Sequence, residues 1–487
     1  MRKPNWVYSS AIALVLVSPF SACRSDADPP PTPMVPVDAA GTGTGGRSGG
    51  GGRGGTPSVD AAVADAPGDL GPIGDGSVGD GGPGDGAGDG GVVDGLLGDG
   101  AVGDAQPGVA ARPFYSHPFR YPQGVIMPTA PQAMLDAAVA SYYDKWKTKH
   151  LGTGCGGSYL KAGSSFGGSV LTVSQLHGFG MLATVILAGH DPAAQATFDG
   201  MVRVRAMFKS GKNPGLMARE VLTNCRPMAN PESQTDGDLD MAMALLMADK
   251  QWGSAGAVNY LQEAATIIAA LKQSAVNLTN RLPLIGDWVV ATDPKFWWGL
   301  RTADFMPNHF RHFGVVTNDP IWNQSVESGY GVIAEIQRDN SPMTGLLPDF
   351  IQNTNNNPTP APANWSAGGQ ANDGSYAYEA CRVPLRLALD FIGSGGTEAR
   401  AKAALAKINT WLKMDTGNNP ALIVDGYRLA GTRFGNGGSF AFEGPLGVAS
   451  MIDVANQAWL DTIWQRAASG DPNDDAYADI TRRVIDS

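Results

Sequence analysis

The sequence predicts an all-α domain built as two concentric layers of helices behind a long disordered leader. Three observations predict it. Apolar residues recur at helical spacing, as in Leu135, Ala138, Val139, Tyr142 and Trp146. Segments apolar on every side alternate with amphipathic ones, and the first kind belongs inside a helical protein, the second at its surface. No alternating run is long enough to suggest a substantial sheet. An α/α toroid satisfies that pattern. A helical solenoid is the alternative, but no repeat at a fixed period is present.

The chain opens with a basic Arg2-Lys3, an apolar stretch from Trp6 to Phe20, and Ser21-Ala22-Cys23. This is the pattern of an export signal, and small residues directly before a cysteine resemble the lipobox of bacterial lipoproteins. Residues 1–23 are therefore expected to direct export, with Cys23 as the lipidation site at the cell envelope, or secretion if Cys23 carries no lipid. No other segment has the ~20 uninterrupted apolar residues of a membrane span, so membrane contact is expected only through that anchor. Residues 24–112 are rich in Gly, Pro, Ala and Asp, with too little apolar surface to offset ordering entropy. They read as a disordered acidic linker. Asp75, Asp80, Asp85, Asp89, Asp94, Asp99 and Asp104 recur nearly every five residues, which does not match the nine-residue period of calcium-binding β-helix repeats. Ten Asp and no Lys or Arg lie between Asp60 and Asp104; without them the formal charge of −11 falls to −1. The remainder is almost neutral, which argues against a nucleic-acid partner.

Residues 113–487 form one domain with a sizeable core. Cys155 and Cys225 lie in loop-like contexts and are the plausible disulfide pair in an exported protein, whereas Cys381 lies in an apolar helical stretch and reads as a buried thiol. No CxxC and no His pair at metal spacing occurs, so no metal is expected, and no cofactor. A helix is expected from Pro192 after an Asp191-Pro192 start, with amphipathic helices over Tyr260–Lys272 and Thr397–Lys413. Gly178–Ala188, Met241–Ala248, Val383–Ile392 and Leu446–Val454 are apolar all round and should form the inner layer.

Polar residues gather at three of those buried helices, and each group needs a chemical reason. Asp236, Asp238 and Asp240 precede the run Met241–Ala248; the positive end of the helix dipole favours their ionised form. Gln175 and His177 open the Gly178 helix, and Tyr376, Glu379 and Arg382 open the Val383 helix. Trp288, Trp297, Trp298, Phe305 and Trp365 lie between them. Aromatic faces beside carboxylates suit sugar rings, which have an apolar CH face and a polar rim. Taken singly, each aromatic is more simply explained as core, and Asp236 as a helix cap.

Gln234-Thr235-Asp236-Gly237-Asp238-Leu239-Asp240-Met241-Ala242, ending at Trp252, resembles the signature of glycoside hydrolase family 8, departing at its opening Ala. Asn213–Ala218, Asp304–Phe310 and Arg382-Val383-Pro384 extend the resemblance over nearly the whole folded region. It implies an (α/α)6 barrel and inverting hydrolysis of a β-linked polysaccharide, endo-β-1,4-glucanase-like. In that reaction one carboxylic acid protonates the leaving oxygen and a second carboxylate activates water on the opposite face. The family's acid is a Glu in Val-Ser-Glu-Gly-x-Gly-Tyr-Gly; here Gln175 occupies that place, with Leu176 for the first Gly and Phe179 for the Tyr. An amide has no proton to transfer.

The resemblance assigns Asp236 to shaping the sugar and puts Glu379 where many members have a basic Asp, with Asp373 in reserve at the end of the insertion Asn353–Asn372. His177 is two residues from Gln175 and would share its face only in a loop. His177, Phe179, Asp238, Trp288, Trp298, Tyr376 and Arg382 are the candidate substrate contacts. The expectation is thus an exported, lipid-anchored, monomeric glycosidase with Glu379 as base. Its rival is a relative that lost the acid and binds a glycan without cutting it. A purely structural helical protein fits the fold but not the retained Asp236 motif.

Overall fold

The computed structural model describes residues 121–163, 168–366, 368–437 and 439–470. The expected signal segment, Cys23 and the linker 24–112 lie outside the described residues.

Helix α1 (Gln132–His150) buries Leu135, Val139, Tyr142 and Trp146, the stripe read from the sequence. A hairpin of β1 (Leu151–Gly154) and β2 (Gly157–Leu160) follows. Strand β3 (Val170–Val173) leads into α2 (Ser174–Ile186) and pairs antiparallel with β4 (Glu220–Leu222), beyond α3 (Ala194–Met207). Next come α4 (Thr235–Trp252), α5 (Tyr260–Ser274) and the single turn α6 (Pro294–Trp297). Strand β5 (Leu300–Arg301) and a 3-10 turn, Thr302–Asp304, precede α7 (Pro307–Thr317) and α8 (Pro320–Asp339). Strands β6 (Phe350–Gln352) and β7 (Thr359–Pro360) complete a three-stranded antiparallel sheet with β5, pairing Arg301 with Phe350. A 3-10 turn, Ala380–Arg382, opens α9 (Val383–Gly393); α10 (Ala399–Asp415), α11 (Phe440–Ser450) and α12 (Gln457–Ser469) close the order.

The inner layer packs α2 on α4, α4 on α7, α7 on α9, and α9 on α11. Outside them α3 lies on α2, α5 on α4, α8 on α7, α10 on α9 and α12 on α11. This is the inner–outer alternation of an (α/α)6 barrel. Every residue of α2 and of α9 is buried, as the absence of a polar face requires. Outer helices bury one stripe each; α5, for example, buries Tyr260, Ala264, Ile267, Ile268 and Leu271. Because each inner helix is followed by an outer one running back, the inner N-termini collect at one end of the barrel.

Several helices depart from the sequence reading. α7 and α8 are not expected: α7 carries Asn308, His309, Arg311 and His312 among its apolar residues, and α8 contains Gly329 and Gly331. α11 begins six residues before the expected Leu446, with Pro445 inside it and Glu443 buried in its first turn against Arg466. α3 begins two residues beyond Pro192, and Asp191 Oδ1 accepts the Ala193 N–H at 3.0 Å.

Cys155, in the β1–β2 turn, and Cys225, after β4, form a disulfide with Cα atoms 5.3 Å apart. The Cys381 thiol is buried and donates to Tyr378 O at 3.0 Å. A second, smaller apolar cluster joins Leu284, Ile285, Val289, Phe296, Phe350, Ala361 and Trp365, with Trp288 and Trp297 against it.

Candidate active site

Two glycines bring the first two site residues together. An added Cβ on Gly237 would lie 2.5 Å from Ser174 C and 2.7 Å from Gln175 N, and one on Gly178 would lie 2.8 Å from Gly237 O. Without side chains there, α2 and α4 touch backbone to backbone at their N-termini. That contact sets Asp236 beside Gln175, whose Nε2 donates to Asp236 Oδ2 at 2.7 Å.

Two guanidiniums complete the centre. Arg382 Nη1 donates to Asp236 Oδ2 at 2.8 Å, and its Nη2 pairs with Glu379 Oε2. Arg301, at the end of β5, places Nη2 3.0 Å from Asp236 Oδ1, while its Nε donates to Asp304 Oδ1 at 2.8 Å and lies 3.9 Å from Glu379 Oε2. Asp236, Asp304, Arg301 and Arg382 are wholly enclosed, and Gln175 and Glu379 nearly so. Burial by itself raises the Asp236 carboxyl, but Arg301 and Arg382 outweigh it and hold Asp236 at about 2. Burial pushes Glu379 up to about 7 against Arg382 and Arg301, and pushes Asp304 up to about 7 against Arg301. Asp236 is thus a fixed anion, and Glu379 titrates near neutrality.

The turn that carries Glu379 is held from behind. Asp349, just before β6, accepts the backbone N–H groups of Ala377 at 3.0 Å and Ala380 at 2.7 Å. Asp373, the reserve base, is committed elsewhere: its two oxygens accept Ser366 N at 2.6 Å and Ser366 Oγ at 3.0 Å. It fastens the insertion, and Trp365 beside it packs on Phe296 and Phe350 with centroids 5.1 and 5.5 Å apart.

The remaining candidates scatter. His177 lies in α2, not in a loop, and its Nε2 is 2.9 Å from Met201 O; burial holds the ring at about 4, hence neutral. Asp238 accepts the Met217 N–H at 3.0 Å, and burial raises its carboxyl well above the usual range. The helix dipole was expected to keep it ionised; with one backbone donor in a closed site, desolvation wins. Tyr376 is buried against Tyr427 and Phe442. All three side chains are engaged by the core, each on the packed side of its element. Phe179 is buried too, with the Arg386 guanidinium 5.9 Å from its ring centre. Trp288 and Trp298 are half-buried on the approach to β5, Trp288 packing edge-on to Phe296.

Sequence reasoning passed over Arg301 and Arg386. Arg386 forms a two-pronged pair with Asp240 at 2.8 and 2.7 Å, and His309 Nε2 lies 3.0 Å from the same carboxylate. A usable signal existed: an arginine inside the apolar run Val383–Ile392 must be buried, and a buried arginine needs a carboxylate.

A two-layer helical barrel with a carboxylate–guanidinium centre at the inner N-termini defines the class, and the chain belongs to it: the model of Glycosyl hydrolases family 8 matches residues 122–480. It is 41% identical over 369 residues to a beta-glucanase of Niallia circulans, covering 76% of this chain and 88% of that protein. It is 38% identical over 350 residues to an endoglucanase of Bacillus sp. strain KSM-330, covering 70% of this chain and 73% of the other. Among solved structures, the apo beta-1,3-1,4-glucanase from Paenibacillus sp. X4 superposes with a TM-score of 0.69 at 39% identity, over 74% of this chain and 93% of that one. A GH8 xylobiose complex from Teredinibacter turnerae, at 16% identity and a TM-score of 0.58 over 72% of this chain and 92% of its own, shares the fold.

Proposed function

We propose that this chain is an exported glycoside hydrolase that acts on a β-glucan by inversion, with Glu379 as the base and Asp236 orienting the sugar. The observation that carries the reading is the single Arg382 guanidinium held between Asp236 and Glu379. It keeps an ionised carboxylate and a titratable one in fixed relation, as an orienting group and a base require. The glucanase relatives support β-glucan as the substrate class. Glu379 would take a proton from the attacking water. Departure of the sugar oxygen is the weak step, since the Gln175 amide supplies no proton and solvent must. A lipid-anchored monomer at the cell envelope remains the reading for residues 1–23.

A second reading, glucan binding without efficient cleavage, is favoured by one contact. The Gln175 amide donates to Asp236 as a protonated Glu would, so the site keeps its shape without its acid. Reducing-sugar release from mixed-linkage β-glucan, carboxymethylcellulose, xylan and chitosan separates the two. Gln175→Glu should accelerate release from the glucans by about 10²–10⁴-fold, the usual worth of general acid catalysis. Asp236→Ala in that background should abolish it. No release by wild type or by Gln175→Glu would sink the hydrolase reading; glucan retention in affinity electrophoresis would then support the binding one.

A further inference from the structure

We infer that Asp304 and Glu379 share a single proton across Arg301, so that Asp304 decides when Glu379 can serve as a base. The inference rests on the reading of Glu379 above and adds Asp304 as its positioning residue. The enclosed centre holds three carboxylates, Asp236, Asp304 and Glu379, and two guanidiniums, Arg301 and Arg382. With all five ionised, one negative charge stays uncompensated in a closed, low-dielectric site, which is costly. One proton removes it.

Geometry says which carboxylates compete for that proton. Asp236 takes a donor on each oxygen, from Arg382 and Gln175 on Oδ2 and from the Gly237 N–H on Oδ1, and it adds an ion pair with Arg301, so it stays ionised. Asp304 and Glu379 both lie within 4 Å of the one Arg301 Nε. Each leaves its other oxygen, Asp304 Oδ2 and Glu379 Oε1, buried without a hydrogen-bond partner among the described residues. A carboxyl with one orphaned oxygen is where a proton is tolerated. Burial raises both groups toward neutrality, the charge of Asp236 raises both as well, and the charge of Asp304 adds to the rise of Glu379.

Among the described residues the surroundings supply no other counter-charge. Glu379 faces Arg382 from its own turn, Arg301 from β5, Asp236 from α4, Asp304 from the turn before α7, and Asp349 from the segment before β6. Asp349 is itself raised well above the carboxylate range by burial and by Glu379. On α11, which packs on this turn, Glu443 is committed to Arg466. Asp240, His309 and Arg386 form a separate group one turn deeper along α4. The pair therefore titrates as a unit, in the way of a carboxylate dyad. When the proton sits on Asp304, Glu379 is ionised and can accept one from water.

The test follows the infrared carbonyl band of protonated carboxylic acids in the full chain without substrate, from about pH 4 to about pH 9. Wild type, Asp304→Asn and Glu379→Gln are compared. Asn at 304 keeps an oxygen for Arg301 Nε, so a structural role is preserved and only the charge is lost. Removing either carboxylate balances the centre, and the titration of the one left should move down by about one pH unit or more. Midpoints unmoved in both variants would overturn the sharing. The readout needs no turnover, so it stands or falls apart from the glucanase reading. If Gln175→Glu hydrolyses glucan, adding Asp304→Asn should shift the acidic limb of its pH profile by the same amount; an unshifted limb would also overturn the proposal.

Discussion

The charge on Glu379 makes the stability of the chain depend on pH. Its folded value of about 7 lies above the ordinary 4.5, so between those values the native chain keeps a proton that the unfolded chain has lost. Stability should therefore fall as pH rises from about 4.5 to about 7 and level off above. Asp236 works the other way, from 3.8 down to about 2: its contribution is present above 3.8 and is lost only as pH drops toward 2. Glu379→Gln should flatten the neutral-side decline, read as urea midpoints at pH 5 and pH 7.5 that differ less than in wild type. The same scale shows what a sequence can carry. Gln175, Asp236 and Glu379 were visible because their neighbours match a known pattern; Asp304 was visible only as part of such a stretch. Arg301 was not visible, because nothing in Leu300-Arg301-Thr302 announces that β5 will deliver the guanidinium between three carboxylates from other elements.

At the scale of elements, the join between α2 and α4 is the part on which the site depends. Ala at position 237 would drive a methyl into the Ser174 carbonyl on a neighbouring backbone that has no side chain to swing away. Gly237→Ala should cost about 1–3 kcal/mol, as overpacking does, and should loosen Gln175 from Asp236. Gly331, within α8, has nothing within 4 Å of an added Cβ, so Gly331→Ala should be neutral or stabilising by up to about 1 kcal/mol. Urea denaturation of the two variants beside wild type checks both. The inner helices α2, α4 and α9 were legible because an apolar run without a polar face has one place to go. α7 and α8 were not, since glycines and scattered polar side chains interrupt their apolar pattern and the polar groups find their partners only in the tertiary structure. Arg311, for instance, pairs with Asp390 of α9 and Glu398 beside α10.

Over the whole molecule, the Cys155–Cys225 bridge ties the first hairpin to the loop after β4 across 70 residues of chain. In the chain-entropy account, closing a loop of that length is worth about 4 kcal/mol. Cys155→Ser with Cys225→Ser should lower stability by about 2–5 kcal/mol, measured as a fall in urea midpoint. The sequence by itself determined the helical class, the layering and the pairing of those two cysteines. Each of these follows from local composition, or from a motif contiguous in the chain. Tertiary structure alone decided which carboxylates meet, which are spent on backbone, as Asp238 and Asp373 are, and that Arg301 stands among three of them. Charge balance in a closed site is a sum over residues far apart in sequence, so it exists only once the barrel has assembled.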